Sequence, residues 1–283
     1  MLVLWLFIAA FGASALGGVL GMASGIFIVP ALTLFFDVDI HVAIGASIVS
    51  VIACSCGSAA PLLKRRLTNV RLAVVLETAT TLGALTGVFL IGIISTSVLY
   101  GLFAAILVLS AKQMLVRRRE GIGSSASGAP SLATSLRLHS SFPDHITGRE
   151  VHYRVGHVPL GMALMYGAGM VSALLGIGSG VLKIPAMDTA LKLPIKVSSA
   201  TSNFMIGVTA AASASAYFVR GDIDIGITGP IALGSVVGAL VGARLLMSLP
   251  AEKLRIFFVA VLLVLAVQML LSAFGIEIIG GSK

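Results

Sequence analysis

Two short stretches hold the residue types from which a site can be built inside an apolar protein. Gly21-Met22-Ala23-Ser24-Gly25-Ile26-Phe27-Ile28-Val29-Pro30 and Gly176-Ile177-Gly178-Ser179-Gly180-Val181-Leu182-Lys183-Ile184-Pro185 each interrupt an apolar run with glycine and close on Ser-Gly. Each then reaches a proline five residues later. Glycine tolerates unwound backbone, while proline removes one helical donor and displaces a carbonyl. A helix restarting at Ser24 or Ser179 would aim free N–H groups and the positive end of its dipole into the break, which suits a small anion. The candidate anion contacts are therefore Gly21, Ser24 and Gly25 in one stretch and Gly176, Gly178, Ser179 and Gly180 in the other. The first set of glycines, with Gly17, also reads as a small-residue stripe that lets two helices approach closely.

Four further positions carry polar chemistry. Lys183 lies three residues beyond Gly180 and would add positive charge beside the break, unless it snorkels to the interface. Glu77 is the lone carboxylate of an otherwise apolar stretch, Leu72 to Ala111. That makes it a candidate proton carrier, or the partner of Arg71 or another base. Ala46-Ser47 and Thr201-Ser202-Asn203 are expected to open equivalent helices, with Ser47, Ser202 and Asn203 offering hydroxyl and amide donors to an oxyanion. Serine also bonds back to its own helix, so the structural role stays open for each hydroxyl.

The elements that must hold these residues follow from composition. Of 283 residues, 58% are hydrophobic and 11% charged, against about 25% charged in a soluble domain. Met1 to Phe36, Val42 to Leu63, Val197 to Val219 and Ile256 to Ile276 contain no charge. Each run is long enough for at least one bilayer span of ~20 residues. The chain reads as an all-α polytopic membrane protein of the cytoplasmic (inner) membrane, surrounded by lipid. Its net charge of +8 then reflects basic cytoplasmic loops rather than nucleic-acid binding. The first run lacks the basic start of a secretory signal and continues past any cleavage site.

The sequence also repeats itself. Gly12 to Leu115 aligns with Gly167 to Leu270 at a constant offset of 155, without a gap and with about one identity in four. Matched pairs include Ser24 with Ser179, Pro30 with Pro185, Ser47 with Ser202, Arg65 with Arg220 and Gly83 with Gly238. The chain thus divides into a first transmembrane repeat (1–116), a polar loop (117–156) and a second repeat (157–283). Each repeat is expected to hold four long helices and one short broken segment, Ile26 to Phe36 or Val181 to Leu191. If the short segment dips in and returns, there are eight crossings, and about 13 of the 19 Lys and Arg fall on one side. If it crosses, the repeats are inverted and about 16 fall inside. The charge count favours the inverted, ten-pass reading.

Within the loop, Gly121 to Ser135 reads as flexible linker and Glu150 to Val155 alternates like a short strand. The loop is read as a cytoplasmic connection, or else as an element that holds a partner. An enzyme is not expected. The Gly-Ile-Gly-Ser-Gly run lacks the setting of a dinucleotide fingerprint, no phosphate-cradling loop is present, and no histidine lies inside an apolar run to activate Ser24 or Ser179. Cys54 and Cys56 form neither a disulfide framework nor a convincing metal site. Neither a cofactor nor a metal is expected, and transport would be driven by a coupling proton, another ion or the substrate's own gradient.

Taken together, the paired Gly-rich breaks ending in Pro30 and Pro185, the serines at Ser47 and Ser202, and the basic turn Lys64-Arg65-Arg66 resemble the TauE/SafE sulfite exporter family. It is also called the 4-toluene sulfonate uptake permease family. The resemblance covers nearly the whole chain outside the loop. It implies a secondary transporter that moves sulfite, an organosulfonate or a related small sulfur-containing anion, in some members outward. The first break has Met22-Ala23 where the family tends to have glycine, which points to the second break as the principal substrate contact. The alternatives are an uptake permease for a related organic anion and a non-transporting membrane sensor or subunit acting through the 117–156 loop. A homo-oligomer is compatible with each reading.

Overall fold

The computed structural model describes residues 2–20, 24–91, 93–115, 132–144, 149–245 and 251–274. In chain order the elements are α1 (Leu2–Leu20), α2 (Gly25–Phe35), α3 (Ile40–Lys64), α4 (Val70–Ile91), α5 (Thr96–Leu115), α6 (Leu132–Ser135), β1 (Ser140–Asp144) and β2 (Arg149–Tyr153). They continue with α7 (Val158–Leu175), α8 (Gly180–Ala190), α9 (Ile195–Arg220), α10 (Ile225–Leu245) and α11 (Ala251–Ala273). Helix is the form an apolar chain adopts in lipid, because every backbone donor and acceptor finds its partner within the segment. Among the described residues, α3, α4 and α7 are each long and apolar enough to cross a membrane.

The helices sort into a shell and a centre. α1 pairs with α10, α4 with α7, and α5 with α11, while α3 packs on α9. Large apolar side chains stand exposed on the shell: Trp5 and Ile8 on α1, Leu82 and Phe89 on α4, Leu233 and Leu240 on α10, Val264 and Val267 on α11. An apolar belt of this extent belongs against acyl chains. The short helices α2 and α8 are buried over most of their length. At about 1.5 Å per residue each is only about 16 Å long. The structure is that of a multi-pass membrane protein.

Close approach fixes the helix pairs. A side chain at Gly83 would collide with the Tyr166 carbonyl on α7, and one at Gly238 with the Phe11 carbonyl on α1. Helices α3 and α9 run antiparallel. Gly45, near the start of α3, lies against the Asp222 carbonyl just past the end of α9. Ser55 donates to the Asn203 carbonyl at 2.6 Å, and Thr68 beyond the end of α3 reaches the Ala200 carbonyl at 3.4 Å. The course of α8 is equally defined. The amides of Gly156 and His157, just ahead of α7, bond the carbonyls of Leu191 and Ala190 at 2.9 and 3.1 Å. Thus α8 returns the chain to the end of the molecule where α7 begins.

The polar loop is more than a tether. Strands β1 and β2 pair antiparallel, with Ser140 opposite Tyr153 and Asp144 opposite Arg149. The strand expected around Glu150 is therefore present, and Pro143-Asp144 lies within β1. Residues 132–135, expected to be linker, form the short helix α6, and Ala133 is buried. The remainder of that expected linker lies outside the described residues. Leu138, Phe142, Tyr153 and Val155 turn into a core shared with Leu72 and Leu76 of α4, Met187 of α8, Leu191 just past it and Val197 of α9. That burial removes them from any surface that could grip a partner.

Asn69 anchors the hairpin. Its Oδ1 accepts the Leu72 amide at 3.1 Å and so caps α4. Its Nδ2 donates to the Leu138 carbonyl at 2.9 Å and to the Tyr153 hydroxyl at 3.0 Å. Its own amide donates to Thr201 Oγ1 on α9 at 3.1 Å. Burial pushes the Tyr153 phenol above its ordinary range, so it remains a neutral partner in this network.

Candidate functional site

The α7–α8 break is built from backbone that ordinary residues avoid. Gly176 and Gly178 have φ of 64° and 72°, and Ser179 adopts φ 43° although it carries a side chain. Such strain is held where the surrounding structure over-determines it, commonly at ligand sites. Helix α8 then starts on the Ser179 carbonyl, which accepts the amides of Leu182 and Lys183 at 2.9 and 2.8 Å. The first break differs. Ser24 has the right-handed conformation, φ −61°, and its carbonyl starts α2 by accepting the Phe27 amide at 3.0 Å. Gly21 lies outside the described residues.

The two breaks meet. A Cβ on Gly25 would run into the Gly176 carbonyl and Ser47 Oγ. Ser47 itself donates to that carbonyl at 2.8 Å, tying α3 to the α7–α8 break. Ser47 and Ser202 lie well inside α3 and α9, which begin at Ile40 and Ile195. The expectation that they open these helices is thus corrected. Their helices start earlier because Pro194 and Asp39 carbonyls already accept the first amides, from Ser198 and Ala43.

The hydroxyls divide by their partners. Ser24, Ser50 and Ser235 are fully buried and linked in a chain across α2, α3 and α10, with 2.9 Å between Ser24 and Ser50. Ser179 and Ser202, also fully buried, have no hydrogen-bond partner among the described residues. A buried hydroxyl left unsatisfied costs about 1–3 kcal/mol. Two of them, one at the α8 cap and one on the helix packed against α8, are donors in want of an acceptor. Asn203 contributes its backbone carbonyl to Ser55, as described above, and is itself buried.

Lys183 does not snorkel. It is fully buried, and its ammonium lies 3.4 Å from Glu77 Oε2 and 2.6 Å from Thr209 Oγ1. Glu77 is also buried, and its Oε1 accepts from Thr209 and, at 3.3 Å, from Thr81. The base that meets Glu77 is therefore Lys183 rather than Arg71. Thr209 is the residue that sequence reasoning missed. It is one hydroxyl among many in α9, and only the packing of α4, α8 and α9 reveals that it touches both charges. Ser50 and Ser235 were equally illegible, because 185 residues separate them.

Comparison with known proteins agrees with this architecture. The chain is 24% identical over 268 residues to the probable membrane transporter protein YunE of Bacillus subtilis (strain 168), covering 91% of this chain and 93% of that protein. It is 25% identical over 238 residues to the probable membrane transporter protein YdhB of the same organism, covering 84% and 88%. No solved structure gives a significant match. Residues 6–269 match the family described as sulfite exporter TauE/SafE, and the chain belongs to that family.

Proposed function

We propose that this protein is a secondary transporter for a small sulfur-containing anion, sulfite or an organosulfonate, bound where the two broken helices meet. The transporter assignment follows from the family and its relatives. The observation that carries the site is the buried Ser179 hydroxyl, without a hydrogen-bond partner among the described residues, at a helix start whose backbone is strained open, with Ser202, likewise unpartnered, on the helix that packs against α8. An oxyanion supplies the acceptors they lack, and the α8 dipole and Lys183 supply favourable charge. Because the Ser24 hydroxyl is already engaged while that of Ser179 is not, the second break is the principal contact. Gly25, Gly176, Gly178, Gly180 and Ser47 shape the site, and Asn203 borders it on α9.

Three features support an inverted repeat as its frame. The Gly83–Tyr166 and Gly238–Phe11 contacts exchange with one another under the offset of 155. The equivalent helices α3 and α9 run antiparallel, as an in-plane two-fold requires. The return of α8 to the start of α7 favours a short segment that crosses over one that dips and turns back. With this frame the basic turn at Lys64 to Arg66 and the hairpin share the cytoplasmic side.

The test is binding and flux with purified protein in liposomes, using sulfite, methanesulfonate and 4-toluenesulfonate. Saturable uptake of at least one of them, weakened in a Ser179→Ala/Ser202→Ala variant that still folds, is expected. A parent protein that neither binds nor moves any of the three would overturn the proposal.

A further inference from the structure

Lys183 offers its charge to an anion at a site where a carboxylate already holds it. The three polar groups of this cluster occur in one repeat arrangement only. At the offset of 155 the positions matching Lys183, Thr209 and Glu77 are Ile28, Cys54 and Ala232. Two-fold packing alone therefore does not demand the cluster, because the matching positions on α2, α3 and α10 carry no charge. A buried ion pair is costly compared with an apolar core, which points to a role other than stability.

We infer that the Glu77–Thr209–Lys183 cluster couples transport to protons: the arriving anion displaces Glu77 from Lys183, and Glu77 takes up one proton, so that a monovalent anion and one proton move together. The inference rests on the anion site proposed above. In the empty state the ammonium of Lys183 and the carboxylate of Glu77 neutralise each other. Once the anion takes over Lys183, an ionised Glu77 would stand in the membrane interior without a counter-charge, which is strongly unfavourable. A proton from the water on the open side restores neutrality. A metal cation is a poor substitute, because the ammonium would repel it from the carboxylate.

Thr209 is the positioning residue of this exchange. Its hydroxyl accepts from Lys183 and donates to Glu77, and it has a second acceptor, the Met205 carbonyl, at 3.1 Å. When Glu77 is protonated, its O–H can donate to Thr209 while the threonine hydroxyl turns to Met205. One rotor thus satisfies both protonation states without moving a helix. The other titratable groups on α4, α7, α8 and α9, the four helices that meet here, are Arg71, Tyr166, Asp188, Lys196, Tyr217 and Arg220. Glu77 is the sole carboxylate on α4, and its bonded neighbours among the described residues are Thr81, Lys183 and Thr209. The loaded unit carries no net charge. Its direction follows the combined anion and proton gradients and not the membrane potential.

The experiment uses proteoliposomes with the potential clamped by potassium and valinomycin and a pH dye inside. Methanesulfonate is the first probe, since as the anion of a strong acid it carries no proton of its own. The parent is expected to move one proton per anion at a rate indifferent to the potential. Glu77→Gln should move the anion without protons and with potential dependence. Thr209→Val should lose coupling by about tenfold, as expected for loss of a hydrogen bond to a charged group, and Thr209→Ser should restore it. If Glu77→Gln does not fold, the Thr209 pair carries the comparison. Parent flux without protons, or unchanged proton coupling in the Glu77 and Thr209→Val variants, would overturn this inference alone. If the parent moves none of the three anions, the anion site falls and this inference with it.

Discussion

Replacing Lys183 by methionine keeps most of the volume and removes the charge. At 3.4 Å and an effective dielectric constant of about 20, the attraction to Glu77 is about 5 kcal/mol. Desolvation of both ions offsets much of that in the intact pair, but in Lys183→Met the carboxylate keeps its desolvation cost and loses its partner. The expected loss is about 3–5 kcal/mol, the usual cost of breaking a buried pair from one side. At about 2–4 °C per kcal/mol this lowers the melting temperature by roughly 6–20 °C. The double variant Glu77→Gln/Lys183→Met removes both charges and leaves Thr209 a neutral partner. It should return to within about 1–2 kcal/mol of the parent. The assay is thermal unfolding of the parent, both single variants and the double variant in one detergent. Single-variant losses below about 1 kcal/mol that simply add in the double variant would refute the reasoning, because residues in contact deviate from additivity.

The remaining predictions concern the breaks and the hairpin. Ser179→Gly removes a side chain from left-handed backbone and should stabilise the protein by about 1 kcal/mol. The same change should weaken anion binding by roughly tenfold, read by isothermal titration with sulfite. Gly25→Ala drives a methyl group into the Gly176 carbonyl and Ser47 and should abolish flux. Gly12→Ala, with open space around its Cβ, should leave flux intact and gain about 0.5–1 kcal/mol from helix propensity. Asn69→Ala deletes the α4 cap and both side-chain donors to the hairpin. It should cost about 2–4 kcal/mol and expose residues 132–153 to protease, with Asn69→Ser regaining about 1 kcal/mol through the cap.

Much of the fold was legible because lipid imposes a simple rule. Uncharged runs become helices, and Val42 to Leu63 and Val197 to Val219 fall within a few residues of the observed α3 and α9. The breaks at Ser24-Gly25 and Ser179-Gly180 were legible for the same reason, since glycine and proline punctuate an otherwise continuous apolar pattern. The cap roles of Pro194 and Asp39 were not, because apolar periodicity says little about the first turn of a helix. The docking of the hairpin was also hidden. Leu138, Phe142, Tyr153 and Val155 are too few and too spaced to announce a core until Leu72, Met187 and Val197 come up beneath them.

By itself the sequence determined that this chain lives in a bilayer, that its halves share one pattern, and that two glycine breaks stand at corresponding places. Local composition decides these, because each depends on residues near one another in the chain. Tertiary structure alone decided that the breaks touch through Gly25, Ser47 and Gly176, that Ser179 and Ser202 find no acceptor among the described residues, and that Glu77 answers Lys183 across 106 residues. Those facts depend on which helix faces which, and a charge buried in lipid must take whatever partner the packing delivers.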